Sequence, residues 1–469
     1  MLRQNQHFFF LVPAGILCIG PKIRQISEFS NSEVYYMEHF MKNPCPISWY
    51  FGQKCVLLQN TDLPMNSFGN QNIKGPTAER ERYVILDALR GMALLGIAMA
   101  NFPEFALWTF LSSEEQAAMP TAGVDEVVKF LQYLFIDGKF YSIFSMLFGI
   151  GFSLILARHS VSLFLRRMVI LAVIGLCHMM FLWSGDILFL YAVGGMLLLL
   201  FIKLSDKALL SVAILLIFIP VGLDALTEFC GINFAGPFYN AWWTKAAEQG
   251  ITEENFASWL RDADSYPQMF AFLLQGAYER VWEFVSGHRL PKVVGLFILG
   301  HLIGKHRFYA QLGSLPLKRF FGWTLALGFP TSLFYAWSAV GGYPWGLTCH
   351  SMLYAVSVIP LTFAYISGIC LLYCRYTQKV MPAFMLFAAS GRMALTNYIS
   401  QSLMGMLLFY GIGMGWGTSV GLVTIEFIAI GAFLLMMLFS KLWLRCFLFG
   451  PLEWIWRILT YGRFFKIVR

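Results

Sequence analysis

Residues 166–200 constrain the possible fold more than any other part of the chain. They read RRMVILAVIGLCHMMFLWSGDILFLYAVGGMLLLL, two long apolar runs joined by a short polar turn at 184–186. An apolar run of about 20 residues has the length of one bilayer crossing. The stretch therefore predicts a helical hairpin inside a membrane.

The composition indicates the same class of protein. The chain is 58% hydrophobic, 17% aromatic and 13% charged, whereas soluble domains carry about 25% charged residues. Its nine cysteines are scattered, without the spacing of metal ligands, and no nucleic-acid-binding motif is present. We therefore expect an all-α polytopic membrane bundle whose main partner is the lipid bilayer. We expect no metal, no nucleic-acid partner and no permanently bound cofactor.

The first 80 residues differ from the rest and are predicted to be a poorly structured extension. The apolar stretch at 8–20 is too short to cross a bilayer. A leader-like segment, MNSFGNQNIKGPTAERERY, begins at Met65. One interpretation is that the natural start lies at or near Met65 and that residues 1–64 are a gene-calling extension. The other is a genuine N-terminal tail.

From residue 83 the hydropathy is regular and predicts about ten spans. The apolar runs lie at about 84–106, 137–157, 165–184, 186–204, 208–229, 285–304, 319–340, 350–374, 383–410 and 420–445. Together they form a bundle over residues 81–449.

Basic residues mark one side of this bundle. Arg166 and Arg167 precede the third span, and Lys203 and Lys207 follow the fourth. The short opposite loops at 184–186, 341–348 and 411–419 contain no Lys or Arg. Because cytoplasmic loops are enriched in positive charge, both termini are predicted to be cytoplasmic.

Two segments lie outside the regular spans. Residues 230–284 form a long outer loop with both charge signs, and apolar residues at helical spacing follow Phe256 and Met269. A cap over a cavity and a plain spacer both fit this loop. Residues 450–469, with GPLEWIWRILTYGR, are typical of an interfacial amphipathic helix on the cytoplasmic side.

His178 and Asp186 are the ionisable residues within the hairpin between its flanking charges. Such groups at membrane depth face a partner or a water-filled cavity. A histidine oriented by a carboxylate serves as a general base near neutral pH. The alternatives for His178 are a hydrogen bond between helices and a proton relay.

The first span carries a second set of candidates. Asp87 and Arg90 lie three residues apart at its cytoplasmic end, on one helical face. They form either an interfacial ion pair or a site for a phosphorylated cytoplasmic ligand. Gly91 allows close approach of a helix or ligand, and Asn101 near the outer end needs a hydrogen-bond partner.

The ninth span is the most polar of the ten. Its segment GRMALTNYISQS includes Arg392, Asn397 and Gln401. This face must point inward because lipid offers no hydrogen bonds. Glu426 in the tenth span is a possible partner for Arg392, and Ser142 in the second span is a further candidate. A substrate site and a buried structural network both fit this set.

Five motifs in this order resemble the YeiB-like family of bacterial inner-membrane proteins, which carry a C-terminal domain of unknown function. They are LDALRGMALLGIAMAN, FSMLFGIGF, RRMVILAVIGLCHMMFLWSGDILFLYA, GRMALTNYISQS and GPLEWIWRILTYG, and the resemblance covers about residues 82–462. The opening LDALRG is more distantly similar to the transmembrane acyltransferase superfamily, which includes the heparan glucosaminide acetyltransferases.

The distant similarity implies acyl transfer from cytoplasmic acyl-CoA, as co-substrate, to an acceptor on the outer side. Arg90 would then bind the nucleotide phosphates, and His178, oriented by Asp186 or Asn101, would be the base. Arg392, Asn397 or Ser142 would stabilise the oxyanion. This chain has no histidine just after its first span, where that superfamily has one.

Two other functions fit the sequence. A transporter or exporter would use the polar face of the ninth span, His178 and Glu426 as a substrate and proton path. No internal repeat of spans, typical of many transporters, is visible. A scaffold without chemistry would leave the inward polar faces unexplained.

Overall fold

The computed structural model describes residues 83–469 and, before them, only the strands β1 (Leu11–Val12) and β2 (Gly15–Ile16). These two strands pair antiparallel, with Leu11 opposite Ile16. The predicted start at Met65 lies outside the described residues.

Residues 83–469 fold into α-helices with short connections and one isolated β-bridge between Phe447 and Val468. This confirms the predicted all-α class. The helices within these residues are α1 (Val84–Phe105), α2 (Ser113–Ala117), α3 (Ala122–Phe135), α4 (Lys139–Leu156), α5 (Val161–Phe181), α6 (Leu188–Leu198), α7 (Asp206–Cys230), α8 (Gly236–Glu248), α9 (Phe256–Asp262), α10 (Tyr266–Ser286), α11 (Arg289–Lys305), α12 (Leu317–Val340), α13 (Leu347–Arg375), α14 (Thr377–Arg392), α15 (Ala394–Phe409), α16 (Leu422–Cys446) and α17 (Pro451–Tyr461).

Six segments of residues 83–469 are long and apolar enough to cross a membrane. They are Val84–Phe105, Ala122–Leu156, Val161–Phe181, Asp206–Cys230, Leu347–Arg375 and Leu422–Cys446. Their outer faces are apolar: Leu215, Phe427 and Leu435 are 60%, 71% and 63% exposed. A surface of this kind is suited to lipid and unsuited to water. The chain is therefore a polytopic helical membrane protein.

Local capping sets where several helices begin. The Ser160 hydroxyl accepts a hydrogen bond from the Leu163 backbone N–H and caps α5. Ser205 caps α7 in the same way through Ala208. These serines satisfy backbone donors that the first helical turn leaves without partners.

The structure divides the predicted ninth span in two. The sequence predicts one helix over 383–410, but the helix ends at Arg392 and a new one begins at Ala394. Met393 between them has non-helical dihedral angles, φ −110° and ψ 36°. The break exposes a helix N-terminus inside the bundle, which a side chain from α17 caps.

Glycines bring two helix pairs into backbone contact. A Cβ on Gly91 of α1 would lie 1.9 Å from the Phe387 carbonyl oxygen of α14, and one on Gly391 would lie 1.9 Å from the Asp87 carbonyl oxygen. α4 and α11 repeat the arrangement at Gly149 and Gly300. Small residues allow this approach, as predicted for Gly91. They fix α1 against α14 at the end where Arg90 lies.

We expect Gly91→Ala to destabilise the protein by about 1–3 kcal/mol, because its methyl group meets backbone that cannot rotate away. Gly431→Ala in α16 is the matched control, since no atom lies within 4 Å of its added Cβ. That change should be neutral or stabilise by up to about 1 kcal/mol. Thermal unfolding in detergent measures both, and equal Tm values for the two variants would contradict this packing.

Candidate functional site

One cavity of about 1070 Å³ extends through the bundle. Its lining includes Arg90 in the second turn of α1 and Glu104 in the last turn. Fourteen residues of helix rise about 21 Å, so the cavity follows most of a bilayer crossing. Its walls between these two ends are largely apolar and aromatic, with Phe144, Phe148 and Tyr191 among them.

Arginines surround the end of the cavity next to the first turns of α1. This cluster, the arginine end, contains Arg90, Arg167, Arg392 and Arg457. Each guanidinium group carries N–H donors in a forked arrangement, which matches the oxygens of a phosphate or carboxylate group. The arginine end is therefore suited to an anion.

Neighbouring groups hold these arginines in place. Arg90 Nη1 lies 2.7 Å from an Asp87 carboxylate oxygen and 3.4 Å from the Gly391 carbonyl oxygen. The Arg167 guanidinium stacks on the Trp456 ring at 3.7 Å. Asp87, a predicted binding residue, thus orients Arg90.

Two further contacts order the other half of the arginine end. Arg457 stacks on the Phe449 ring at 4.0 Å, and Arg392 donates to the Leu448 carbonyl oxygen at 3.4 Å. The segment between α16 and α17 therefore forms one wall of this site. Arg392 lies here, far from the predicted chemistry at the outer side.

Glu453 of α17 caps the helix that begins after the break at Met393. Its carboxylate accepts from the Leu395 N–H at 2.7 Å and from the Thr396 N–H and hydroxyl at 3.0 and 2.6 Å. A carboxylate at a helix N-terminus satisfies free donors and interacts well with the helix dipole. The predicted amphipathic tail is thereby docked against the bundle.

The opposite end of the cavity, the polar end, is lined by charged and aromatic residues from several helices. Glu104, Asp137, Asp224, Arg280, His288, Arg289, Lys292, His350 and Tyr354 belong to this lining. Helix α10, within the loop predicted at 230–284, contributes Arg280 and so forms part of the wall. The helices predicted after Phe256 and Met269 are confirmed as α9 and part of α10.

Arg280 joins α10 to the turn between α5 and α6. It donates to the Gly185 carbonyl oxygen at 2.6 Å and to the Asp186 carbonyl oxygen at 3.0 Å, and it also pairs with Glu283. This residue is 4% exposed. The contacts close the hairpin turn over the polar end.

His178 and Asp186 lie together in a sealed position beside the cavity. His178 Nδ1 is 2.9 Å from an Asp186 carboxylate oxygen, and Nε2 is 2.8 Å from the Ser402 hydroxyl. The other Asp186 oxygen accepts from the Phe189 N–H at 2.7 Å. His178 is 2% exposed, and the cavity lining does not include it. Both ring nitrogens are engaged by protein groups.

The remaining predicted residues divide between the cavity and buried networks. Asn101 lines the cavity. Asn397 donates to the Ser390 carbonyl oxygen and to Ser440, both at 3.0 Å. Four predicted residues are not part of the cavity lining, and their side chains bond to other protein groups: Asn397, Gln401 (Leu94 carbonyl), Ser142 (Gly138 carbonyl) and Glu426 (Gln132).

Several lining residues were not among the predicted site residues. The sequence places Arg167 among the charges that orient the spans, and it gives no functional prediction for Arg280, His288 or Lys292. The signal for Arg280 was its spacing from Glu283, three residues on, which suits an ion pair on a helix. Nothing in the linear sequence brings Arg167 next to Arg90.

The fold and the cavity together define a polytopic α-helical membrane protein with an internal site. The chain is 30% identical over 405 residues to "Uncharacterized protein YxaH" of Bacillus subtilis (strain 168), covering 82% of this chain and 96% of the relative. It is 26% identical over 411 residues to "Uncharacterized protein YeiB" of Escherichia coli (strain K12), covering 81% and 96%. The chain therefore belongs to the YeiB-like family, as its motifs indicate.

Two further comparisons are consistent with this membership. The chain is 27% identical over 402 residues to "Uncharacterized 39.9 kDa protein in amylase 3'region" of Bacillus acidopullulyticus, covering 84% of this chain and 98% of the relative. Residues 304–463 match the family model described as protein of unknown function (DUF418). No solved structure matches the chain.

We expect His178→Ala to lower stability strongly, because it leaves the Asp186 carboxylate buried without its imidazole partner. Removing one partner of a buried pair typically costs about 3–5 kcal/mol. His306→Ala is the matched control: His306 also pairs with a carboxylate, Asp206, at 2.7 Å, but is 44% exposed. Exposed pairs contribute about 1 kcal/mol or less. Equal Tm losses in detergent would contradict a structural role for His178.

Proposed function

We propose that this protein is a membrane acyltransferase that moves an acyl group from cytoplasmic acyl-CoA to an acceptor on the outer side. The observation that carries the proposal is the cavity of about 1070 Å³ with arginines at one end and polar groups at the other. A long, thin donor with an anionic head matches this shape. The distant similarity of LDALRG to the acyltransferase superfamily supports the same reaction.

The proposed topology has about ten spans and both termini in the cytoplasm of a bacterial cell, with the bundle in its inner membrane. The basic connections between spans support this orientation. The arginine end then faces the cytoplasm, where acyl-CoA is available. The polar end faces outward, and residues 230–284 cover it as a cap.

The donor would bind along the length of the cavity. Arg90, Arg167 and Arg392 would hold its phosphates by charge-assisted hydrogen bonds. The pantetheine arm would pass along Gly151 of α4, which lines the cavity and has no atom within 4 Å of an added Cβ. Acyl-CoA is thus a co-substrate, and the proposal needs no permanently bound cofactor.

Acyl transfer requires a base and a donor for the oxyanion near the thioester. Asn101 lines the cavity and has the amide N–H donors for the second role. The sequence-based hypothesis assigns the first role to His178 with Asp186. To act as base, His178 would first have to release the Ser402 hydroxyl from Nε2.

Transport is the second candidate function, and one observation favours it. Glu426 Oε2 is buried and has no hydrogen-bond partner among residues 83–469. An ionisable group of this kind inside a membrane often belongs to a proton relay. The path would then follow Glu426 and the polar face of α15, with Asn397 and Gln401.

We expect acyl-CoA to raise the Tm of the purified full-length protein, because a ligand that binds only the folded state stabilises it by mass action. At 100 times its Kd the ligand adds about 2.7 kcal/mol. Acetyl-, propionyl- and longer acyl-CoAs would be compared with free nucleotides in detergent. Arg90→Ala should weaken the affinity for acyl-CoA by roughly ten- to a hundredfold, which corresponds to the free energy of one charged hydrogen bond.

Arg319→Ala is the matched control for Arg90→Ala. Arg319 is an exposed arginine in the first turn of α12, on the same predicted side, and does not line the cavity. Its removal should leave the acyl-CoA affinity unchanged. If no acyl-CoA raises the Tm at concentrations well above cellular levels, the acyltransferase proposal fails and transport becomes the better candidate.

A further inference from the structure

A second histidine–aspartate pair lies at the polar end of the cavity. His288 connects α10 to α11, and its Nε2 lies 2.8 Å from an Asp224 carboxylate oxygen of α7. The other Asp224 oxygen accepts a hydrogen bond from the Ser351 hydroxyl of α13. Both His288 and Asp224 line the cavity. The junction of α10 and α11 therefore meets α7 and α13 at one imidazole and its carboxylate.

The second ring nitrogen of His288 is open. Its Nδ1 has no hydrogen-bond partner among residues 83–469. This nitrogen is also not one of the fully buried polar atoms of that part of the chain. A carboxylate at Nε2 keeps the proton on that nitrogen and leaves a lone pair on Nδ1. A neutral imidazole in this state can accept a proton at Nδ1.

The backbone holds His288 in a conformation that few residues adopt. Its φ is 47° and its ψ is 41°, in the left-handed region. Residues held in this region are found disproportionately at functional sites. The contacts to Asp224 and the two helices on either side determine the position of the ring.

The other candidate histidines lack this combination. His178 has both nitrogens engaged and lies outside the cavity lining. His350 lines the cavity, but its Nδ1 lies 3.1 Å from the Ser338 hydroxyl and not beside a carboxylate. Only His288 among these three joins a carboxylate partner to an open nitrogen in the cavity.

We propose that His288 is the general base of the acyl transfer and that Asp224 is its positioning residue. This assignment rests on the proposed acyltransferase function and replaces His178 in the base role. The acceptor class is a hydroxyl compound that enters the polar end.

The reaction balances without a further reactant. His288 Nδ1 takes the hydroxyl proton as the acceptor oxygen attacks the thioester carbonyl carbon. The tetrahedral intermediate then breaks its carbon–sulfur bond, and the proton on Nδ1 passes to the leaving CoA thiolate. Lys292, one helical turn after His288 and also in the lining, supplies positive charge to the oxyanion.

The test combines chemical modification of histidines with a measurement of the reaction rate, both on the full-length protein in detergent. Diethyl pyrocarbonate modifies neutral imidazole nitrogens, and mass spectrometry assigns each modified residue. We expect His288 to react in the wild type and to be protected by acetyl-CoA, while His178 stays unmodified. A His288 ring that does not react, or that reacts equally with and without acetyl-CoA, overturns the assignment.

The rate is the release of CoA from acetyl-CoA with water or glycerol as the acceptor. His288→Gln should lower it by at least roughly a hundredfold, the usual effect of losing a general base, and should keep the thermal stabilisation by acetyl-CoA. Hydroxylamine needs no base to attack a thioester and should restore release in this variant. His306→Gln, which alters an exposed pair with Asp206, should keep the wild-type rate.

The possible outcomes distinguish an error in the assignment of His288 as base from an error in the proposed acyl-transfer reaction. Wild-type release in His288→Gln overturns the base assignment alone and leaves the proposed function standing. A wild type that releases no CoA with any of these acceptors overturns the transfer reaction itself. Asp224→Asn should lower kcat for release without changing KM for acetyl-CoA. An altered KM with unchanged kcat would exclude the positioning role.

Discussion

The close contact between α1 and α14 determines where the arginines of the cavity lie. Gly91 and Gly391 bring the two backbones together, and each glycine neighbours an arginine in sequence, Arg90 and Arg392. Arg90 reaches the Gly391 carbonyl oxygen as a result. The same contact that stabilises the bundle thus places both arginines at the arginine end of the cavity.

Around this contact, the buried polar groups of the bundle bond to one another because lipid offers no hydrogen-bond partners. The His178–Asp186–Ser402 chain links the hairpin of α5 and α6 to α15. Arg280 satisfies two carbonyl groups of the hairpin turn. These buried contacts contain residue types that are common in catalytic sites, but their polar atoms bond to other groups of the protein. Chemistry with a substrate requires a polar atom that faces open space, which distinguishes His288 from His178.

The break at Met393 connects the C-terminal helix to the site. Because α15 begins inside the bundle, its N-terminal donors need an acceptor, and Glu453 provides it. This docks α17 so that Trp456 lies under Arg167 and Phe449 lies beside Arg457. The motif GPLEWIWRILTYG therefore contributes to the wall of the arginine end, in addition to its amphipathic character.

The sequence by itself determined the membrane class, the helical fold, the family and the positions of most apolar helices, because these follow from local hydropathy and from motifs in order. It also identified Arg90, Asp87 and Asn101 at the two ends of α1. Only the tertiary structure brought Arg167 and Arg457 to Arg90, and Asp224 to His288, since these residues are far apart in the chain. Which histidine has an open nitrogen depends on the neighbours of both ring atoms, and those neighbours come from different helices. Hydropathy patterns carry no information on such contacts, so the site could be predicted only in part.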